Sequence, residues 1–269
     1  MKKFYKTFLF LFSLNALLIL PAGLLFSIRF LIPVSLFAFF LDIFLLFFMP
    51  AYVKKTYLFS VFPPDDPYKL CSAFKRLKTD HNLKNVQLLK LQGLDSVCFY
   101  LSSFNSSIIV LSENILESFS QKDITCFLSY AFQKIQSGDS LFLTVLSAFI
   151  FLWGKFFYIL SYPFVFFKKK KTDRLEMALI LKTLSFMTKS VFYNNDKKLL
   201  LKNKTAGRDQ ALFLWKLDSF ITLNPPQLPV FLAPLFLTNF LTNSHEKDYI
   251  SLQPLIKNRV ENLVGSYPP

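Results

Sequence analysis

Apolar positions in this chain come in long blocks before they come at intervals. Residues 7–28 hold no charged side chain and 30–49 hold one, Asp42. Since about 20 apolar residues cross a bilayer core, the pattern predicts two transmembrane helices, 7–28 and 30–49, joined at Arg29. From 63 the pattern changes to "PPDDPYKLCSAF", and Leu70, Phe74 and Leu77 then recur at helical spacing, which marks the start of a polar-faced domain. The runs "NVQLLKLQ", "SVCFYLSS" and "SSIIVLS" are rich in strand formers and predict a small sheet over 85–112. Ser120 followed by Asp123 is a capping-box start for a helix over 121–137. Its apolar stripe is Ile124, Phe127, Leu128, Ala131 and Ile135. Tyr130 and Lys134 form an i,i+4 pair on the flank of that stripe, and Gly138 supplies the stop.

Three later blocks are harder to place. Residues 141–167 are largely apolar but carry Lys155 and end on "KKKK"; a single span would leave that lysine run outside the cell, against the positive-inside bias, unless it snorkels, and a re-entrant hairpin or a surface-lying helix avoids this. Residues 175–193 carry Lys182 and Lys189, which weakens a further span. The block 226–241 is interrupted by prolines and is expected to pack on the domain instead of spanning.

Composition supports a membrane protein: 53% of residues are apolar, mean hydropathy is +0.39, and the 35 phenylalanines concentrate in the blocks just described. "MKKFYK" would suit a signal peptide, but no small-x-small cleavage site follows and a second span comes at once, which favours an uncleaved hairpin. The net charge of +14 resides largely in lysines at block edges, such as Lys2, Lys3, Lys6, Lys54, Lys55 and 168–171. That is the positive-inside distribution; it places both termini and the domain in the cytoplasm and argues against nucleic acid as the partner. The basic stretch "KKLLLKNK" (197–204) reads either as a solvated helix face or as a patch facing lipid headgroups. Asp42 inside a span costs about 2.5–3.5 kcal/mol on insertion scales, and Asn15 lies at similar depth on the antiparallel partner, so a hydrogen bond between them is expected. Cys71, Cys98 and Cys126 lack disulfide or metal spacing and are expected to be reduced packing residues.

The order of these features resembles the HtpX-like zinc metallopeptidases, membrane-bound gluzincins related to the Ste-type CAAX proteases. "NSSIIVLSENIL" (105–116) resembles the family strand and turn "NAxIxVTxGLL". "SQKDI" (120–124), Ile135 and Asp139 resemble the entry and end of the family's zinc helix, "LxxDELxAVLAHExxHIxxxD". The tail "LQPLIKNRVENL" (252–263) resembles "HPPxxxRIxxL", with Pro254 and Arg259 kept. The resemblance implies an α+β membrane protein: a helical hairpin over 1–55, then a mainly helical zincin-like cytoplasmic domain over 63–269, with a small sheet and an interruption by apolar segments.

At the catalytic positions the chain departs from that pattern. An HExxH helix needs two imidazoles one turn apart on one zinc ion, with a carboxylate between them to take a proton from bound water. Alignment on Ile135 and Asp139 puts Tyr130 and Lys134 at the ligand positions and Ala131 at the base position, and the third ligand falls on Val191 or Phe192. None of these serves zinc. The two histidines, His81 and His245, cannot rebuild the pair, and Gln253 replaces the tail histidine.

The expectation is therefore a catalytically inactive pseudoprotease without metal, which binds membrane lipids and misfolded polypeptide, or regulates another membrane protease, by holding an extended chain along a sheet edge. Lys134 is expected to close the old pocket by pairing with Tyr130 or a backbone carbonyl. The alternatives are an active zinc peptidase with relocated ligands and a plain structural or lipid-binding membrane protein.

Overall fold

The capping box forms as expected. In the computed structural model, Ser120 has extended backbone, its hydroxyl oxygen accepts from the Asp123 amide at 3.2 Å, and its O–H donates to Asp123 Oδ2 at 2.7 Å. The structure describes residues 28–57, 59–62, 70–93, 96–165, 188–189, 191–194, 196–197, 204–226, 230–237 and 256–264. The elements are helix α1 (Ile28–Thr56), strand β1 (Phe59–Val61), α2 (Leu70–Asp80), β2 (Val86–Leu91), β3 (Cys98–Ser102), β4 (Ser107–Ser112), α3 (Glu113–Ser118), α4 (Gln121–Ser137) and α5 (Asp139–Val165). They continue with α6 (Lys204–Leu223), a 3-10 helix (Val230–Leu235) and α7 (Ile256–Val264). Residues around Phe192 and Asp196 are also helical. The fold is α+β: helices around one small mixed sheet.

All three expected strands form, with a topology the sequence did not suggest. A meander would pair β2 with β3. Instead the order is β1-β2-β4-β3, with β4 parallel to β2 and antiparallel to β3. Strands β3 and β4 are buried along their whole length and β2 at four of its six positions, so these runs read as continuously apolar and carry no alternation that marks a partner. Strand β1 was not expected; only three residues long, it pairs antiparallel with β2 where the apolar helix gives way to the domain.

Helix α4 lies against the sheet, with Ile124, Phe127, Leu128 and Ala131 buried in the main core. Gly138 ends it at φ 80, a left-handed conformation that a side chain would strain. The chain turns by 84° there into α5. Block 141–167 accordingly begins as one continuous helix, with Leu143, Leu146, Phe149 and Ile150 in the same core as the sheet. Residues 226–241 supply the 3-10 helix, which packs on α5 and β3, and Phe236 bridges to Phe99 on the outer edge of β3. An incoming strand therefore meets the protein's own chain at that edge. The cysteines are free, as expected, and burial raises the thiols of Cys98 and Cys126, the latter to about 12.

Arg29, expected in a turn, lies in the first turn of α1. Residues 30–49 are helical, and Ile32, Leu36, Phe37, Phe40, Phe44, Phe47 and Phe48 are all exposed. Among the described residues no single helix is long and apolar enough to cross a membrane, whereas α4 and the first half of α5 pass together as a bent pair. The first expected span with Asn15, the side chain of Asp42, most of 175–193 and 197–204, His245, Gln253 and Pro254 lie outside what is described.

Candidate functional site

Tyr130 and Lys134 were expected on the flank of α4, yet they are among its most deeply buried residues, at 1% and 0% exposure. One turn apart, they project to the same point on the helix surface. There they meet the helical stretch around Phe192 and the helix α7, whose Arg259 is also fully buried. Phe192 is buried while Val191 is half-buried, so the Phe192 ring enters the cluster and Val191 contributes its carbonyl.

Arg259 is held on every side. Its Nε and one terminal nitrogen donate to the two oxygens of Asp196 at 2.8 and 2.9 Å, a bidentate pair. The other terminal nitrogen donates to the Leu237 carbonyl at 2.8 Å, and the nitrogen shared with Asp196 also reaches the Tyr130 hydroxyl oxygen at 3.1 Å. Burial opposes the guanidinium charge, but Asp196 and Tyr130 outweigh it and hold its pKa above the ordinary arginine value. Burial pushes the Tyr130 phenol well up, with Arg259 pulling the other way, so the hydroxyl keeps its proton at neutral pH.

Lys134 Nζ donates to the Val191 carbonyl at 3.0 Å and lies 3.7 Å from Asp139 Oδ2. Both cations also lie against both rings: Lys134 Nζ is 4.7 Å from the Phe192 centroid and 5.6 Å from that of Tyr130, and the Arg259 guanidinium carbon is 4.9 and 5.7 Å from the same two. A ring face attracts cations within about 6 Å. Tyr100 on β3 stands nearby with a buried hydroxyl that has no hydrogen-bond partner among the described residues, and its pKa is raised by burial first and Tyr130 second.

This donor set does not fit zinc. Ala131 is fully buried and offers no side-chain donor, the Tyr130 oxygen is engaged by Arg259, Phe192 has no donor, and Lys134 would set a cation beside a dication. Among the described residues no group of three or more His, Cys, Asp or Glu stands in metal-binding proximity. His81 is elsewhere, sharing a hydrogen bond with Gln136 at 2.8 Å and stacked on Phe132. Alongside the cluster, with Tyr130 as a shared wall, runs a cleft of about 430 Å3 between α4 and α6, lined by Lys122, Cys126, Ser129, Asp209 and Gln210.

Sequence reasoning brought seven of these residues to notice (Tyr130, Ala131, Lys134, Asp139, Val191, Phe192 and Arg259) and missed the parts played by Asp196 and Leu237. Asp196 follows the apolar run that carries Val191 and Phe192, and its pairing with an arginine 63 positions away has no local signal. The Leu237 carbonyl has no signal in sequence at all.

The fold around this cluster is a capped helix packed on a small mixed sheet, followed by a long apolar helix and a returning helical stretch. A solved structure that matches is the crystal structure of Ste24p from S. mikatae, with a TM-score of 0.55 and 15% sequence identity over 93% of this chain and 62% of that one. The fold is thus similar to that of Ste24p, and this chain corresponds to under two thirds of that protein's length. No family model and no curated protein matches the sequence.

Proposed function

We propose that this chain is a metal-free counterpart of the gluzincin peptidases, held at the cell membrane with its domain in the cytoplasm. Its former catalytic centre serves as a structural lock, and its work is binding, as a scaffold or regulator for polypeptide or for a membrane protease. One observation carries this reading. Lys134, Tyr130 and Phe192 stand where the resemblance calls for zinc ligands, and Lys134 and Arg259 both lie against the Tyr130 and Phe192 rings. A Zn2+ introduced there would meet like charge at short range in a water-poor interior, where repulsion is weakly screened. The burial of the Phe192 side chain, against the half-buried Val191, favours Phe192 over Val191 for the third ligand position.

Membrane attachment is supported by the exposed apolar face of α1 and by the lysines that flank it. A bound chain would not use the outer edge of β3, where Phe236 already pairs with Phe99. The outer edge of β1, with Val61 exposed, is the place for strand addition.

Rebuilding the ligand set tests the assignment. A variant carrying Tyr130→His, Ala131→Glu, Lys134→His and Phe192→Glu should take up about one zinc per chain, the stoichiometry of such a site, while the parent purifies without stoichiometric metal and does not cleave casein. The reading is sunk by a folded variant that binds no zinc, or by a parent whose zinc is lost on mutating His81 or His245.

A further inference from the structure

Helix α6 carries a second face that the cluster does not use. Leu214, Leu217 and Ile221 are buried, while Arg208, Leu212, Trp215, Lys216 and Leu223 are exposed, together with Ser219 and Thr222. At 3.6 residues per turn these exposed positions fall on one arc of the helix. Its large apolar members are well exposed: Leu212 at 43%, Trp215 at 39% and Leu223 at 80%. The arc contains no carboxylate. Asp209 borders it in an ion pair with Lys122, and Asp218 borders it on the other side, half-buried. The two hydroxyl residues are turned back on their own helix, Ser219 donating to the Trp215 carbonyl and Thr222 to that of Asp218. The approach to the helix is cationic, with Lys197, Lys198, Lys202 and Lys204 in sequence.

We propose that this arc docks on the headgroup layer of an anionic bilayer. Leu212, Trp215 and Leu223 seat at the boundary of headgroups and acyl chains, and Arg208 and Lys216 meet the phosphates. Lys216 lies 3.0 Å from Asp123 while half exposed, so its three N–H donors can serve that carboxylate and a phosphate together. A protein partner would be expected to find directional polar groups on such a surface. The arc instead offers apolar bulk, one indole and positive charge, the chemistry of an interfacial helix face. The proposal rests on the membrane placement given above and adds a second contact, remote in sequence from α1.

The test uses the full chain with Trp153→Phe, which leaves Trp215 as the remaining one of two tryptophans. The protein is placed in nanodiscs of phosphatidylcholine, with or without phosphatidylglycerol, made from plain or brominated lipids. Trp215 emission should fall roughly twofold in brominated discs containing phosphatidylglycerol and less without it, as attraction to anionic lipid requires. Adding Leu212→Glu and Leu223→Glu should abolish the quenching, and Arg208→Gln should reduce its dependence on phosphatidylglycerol. Equal emission in plain and brominated discs, with the protein in the disc, overturns the docking face and leaves the membrane placement standing. So does protection of Trp215 from aqueous acrylamide without bromine quenching, since another polypeptide then covers the arc. Failure of the chain to enter discs removes both readings.

Discussion

The site cluster has an arginine end and a lysine end, and they solve the same problem differently. Arg259 meets Asp196 through a planar two-pronged contact and spends further donors on Leu237 and Tyr130, so a fully buried charge has a fully buried counter-charge. Lys134 donates to the Val191 carbonyl and forms an ion pair at 3.7 Å with Asp139, which is 26% exposed. The arginine end is an ion pair in a dry interior. The lysine end joins a buried cation to a carbonyl, two rings and a carboxylate open to water. Breaking the first pair strands a buried charge, whereas breaking the second leaves a carboxylate that solvent can reach.

The sharpest way to break this contrast is Arg259→Met, which leaves Asp196 buried and unpaired. It should lower unfolding stability by about 3–5 kcal/mol, read by thermal or chemical denaturation of the full chain in detergent; a loss below about 1 kcal/mol would mean that water reaches the carboxylate. Lys134→Met should cost less, about 1–2 kcal/mol, because the main debt is one unsatisfied carbonyl. Unchanged or improved stability would show that the lysine does not close the pocket. The smallest effect lies outside the cluster, at the α4 cap. Burial raises the Asp123 pKa, but hydrogen bonds from Ser120 and Lys216 outweigh it, and the carboxyl titrates below its ordinary value. A lowered folded pKa means stability that is present above the unfolded carboxylate pKa and is lost as pH falls through the folded one. Asp123→Asn should therefore cost about 0.5–1 kcal/mol at pH 7, and that difference should shrink as pH falls below about 4, the unfolded carboxylate value.

Much of the scaffold was legible because its signals are local. Ser120, Asp123 and Gly138 announce a helix by chemistry confined to its two ends, and the runs at 86–91, 98–102 and 107–112 announce strands by residue type. The parallel pairing of β2 and β4 was not legible, since it joins strands that are not consecutive in the chain and has no turn residue to mark it. Within the site, the positions of Tyr130, Ala131 and Lys134 came from helical spacing together with a resemblance. Their environment did not follow, because a polar pair beside an apolar stripe is ordinarily solvated; here α7 and the stretch around Phe192 cover it. Asp196 and Leu237 enter only through tertiary contact.

The Arg259–Tyr130 contact joins residues 129 positions apart, and the same arginine ties down Leu237, next to the residue that closes the edge of β3. During synthesis, α4 and the sheet emerge long before α7 does. Until that helix arrives, the Tyr130 hydroxyl and the Leu237 carbonyl lack their guanidinium donor and Asp196 lacks its counter-charge. Closing a contact over such a separation is slow, so the site is completed late, after the sheet and α4 on which it rests.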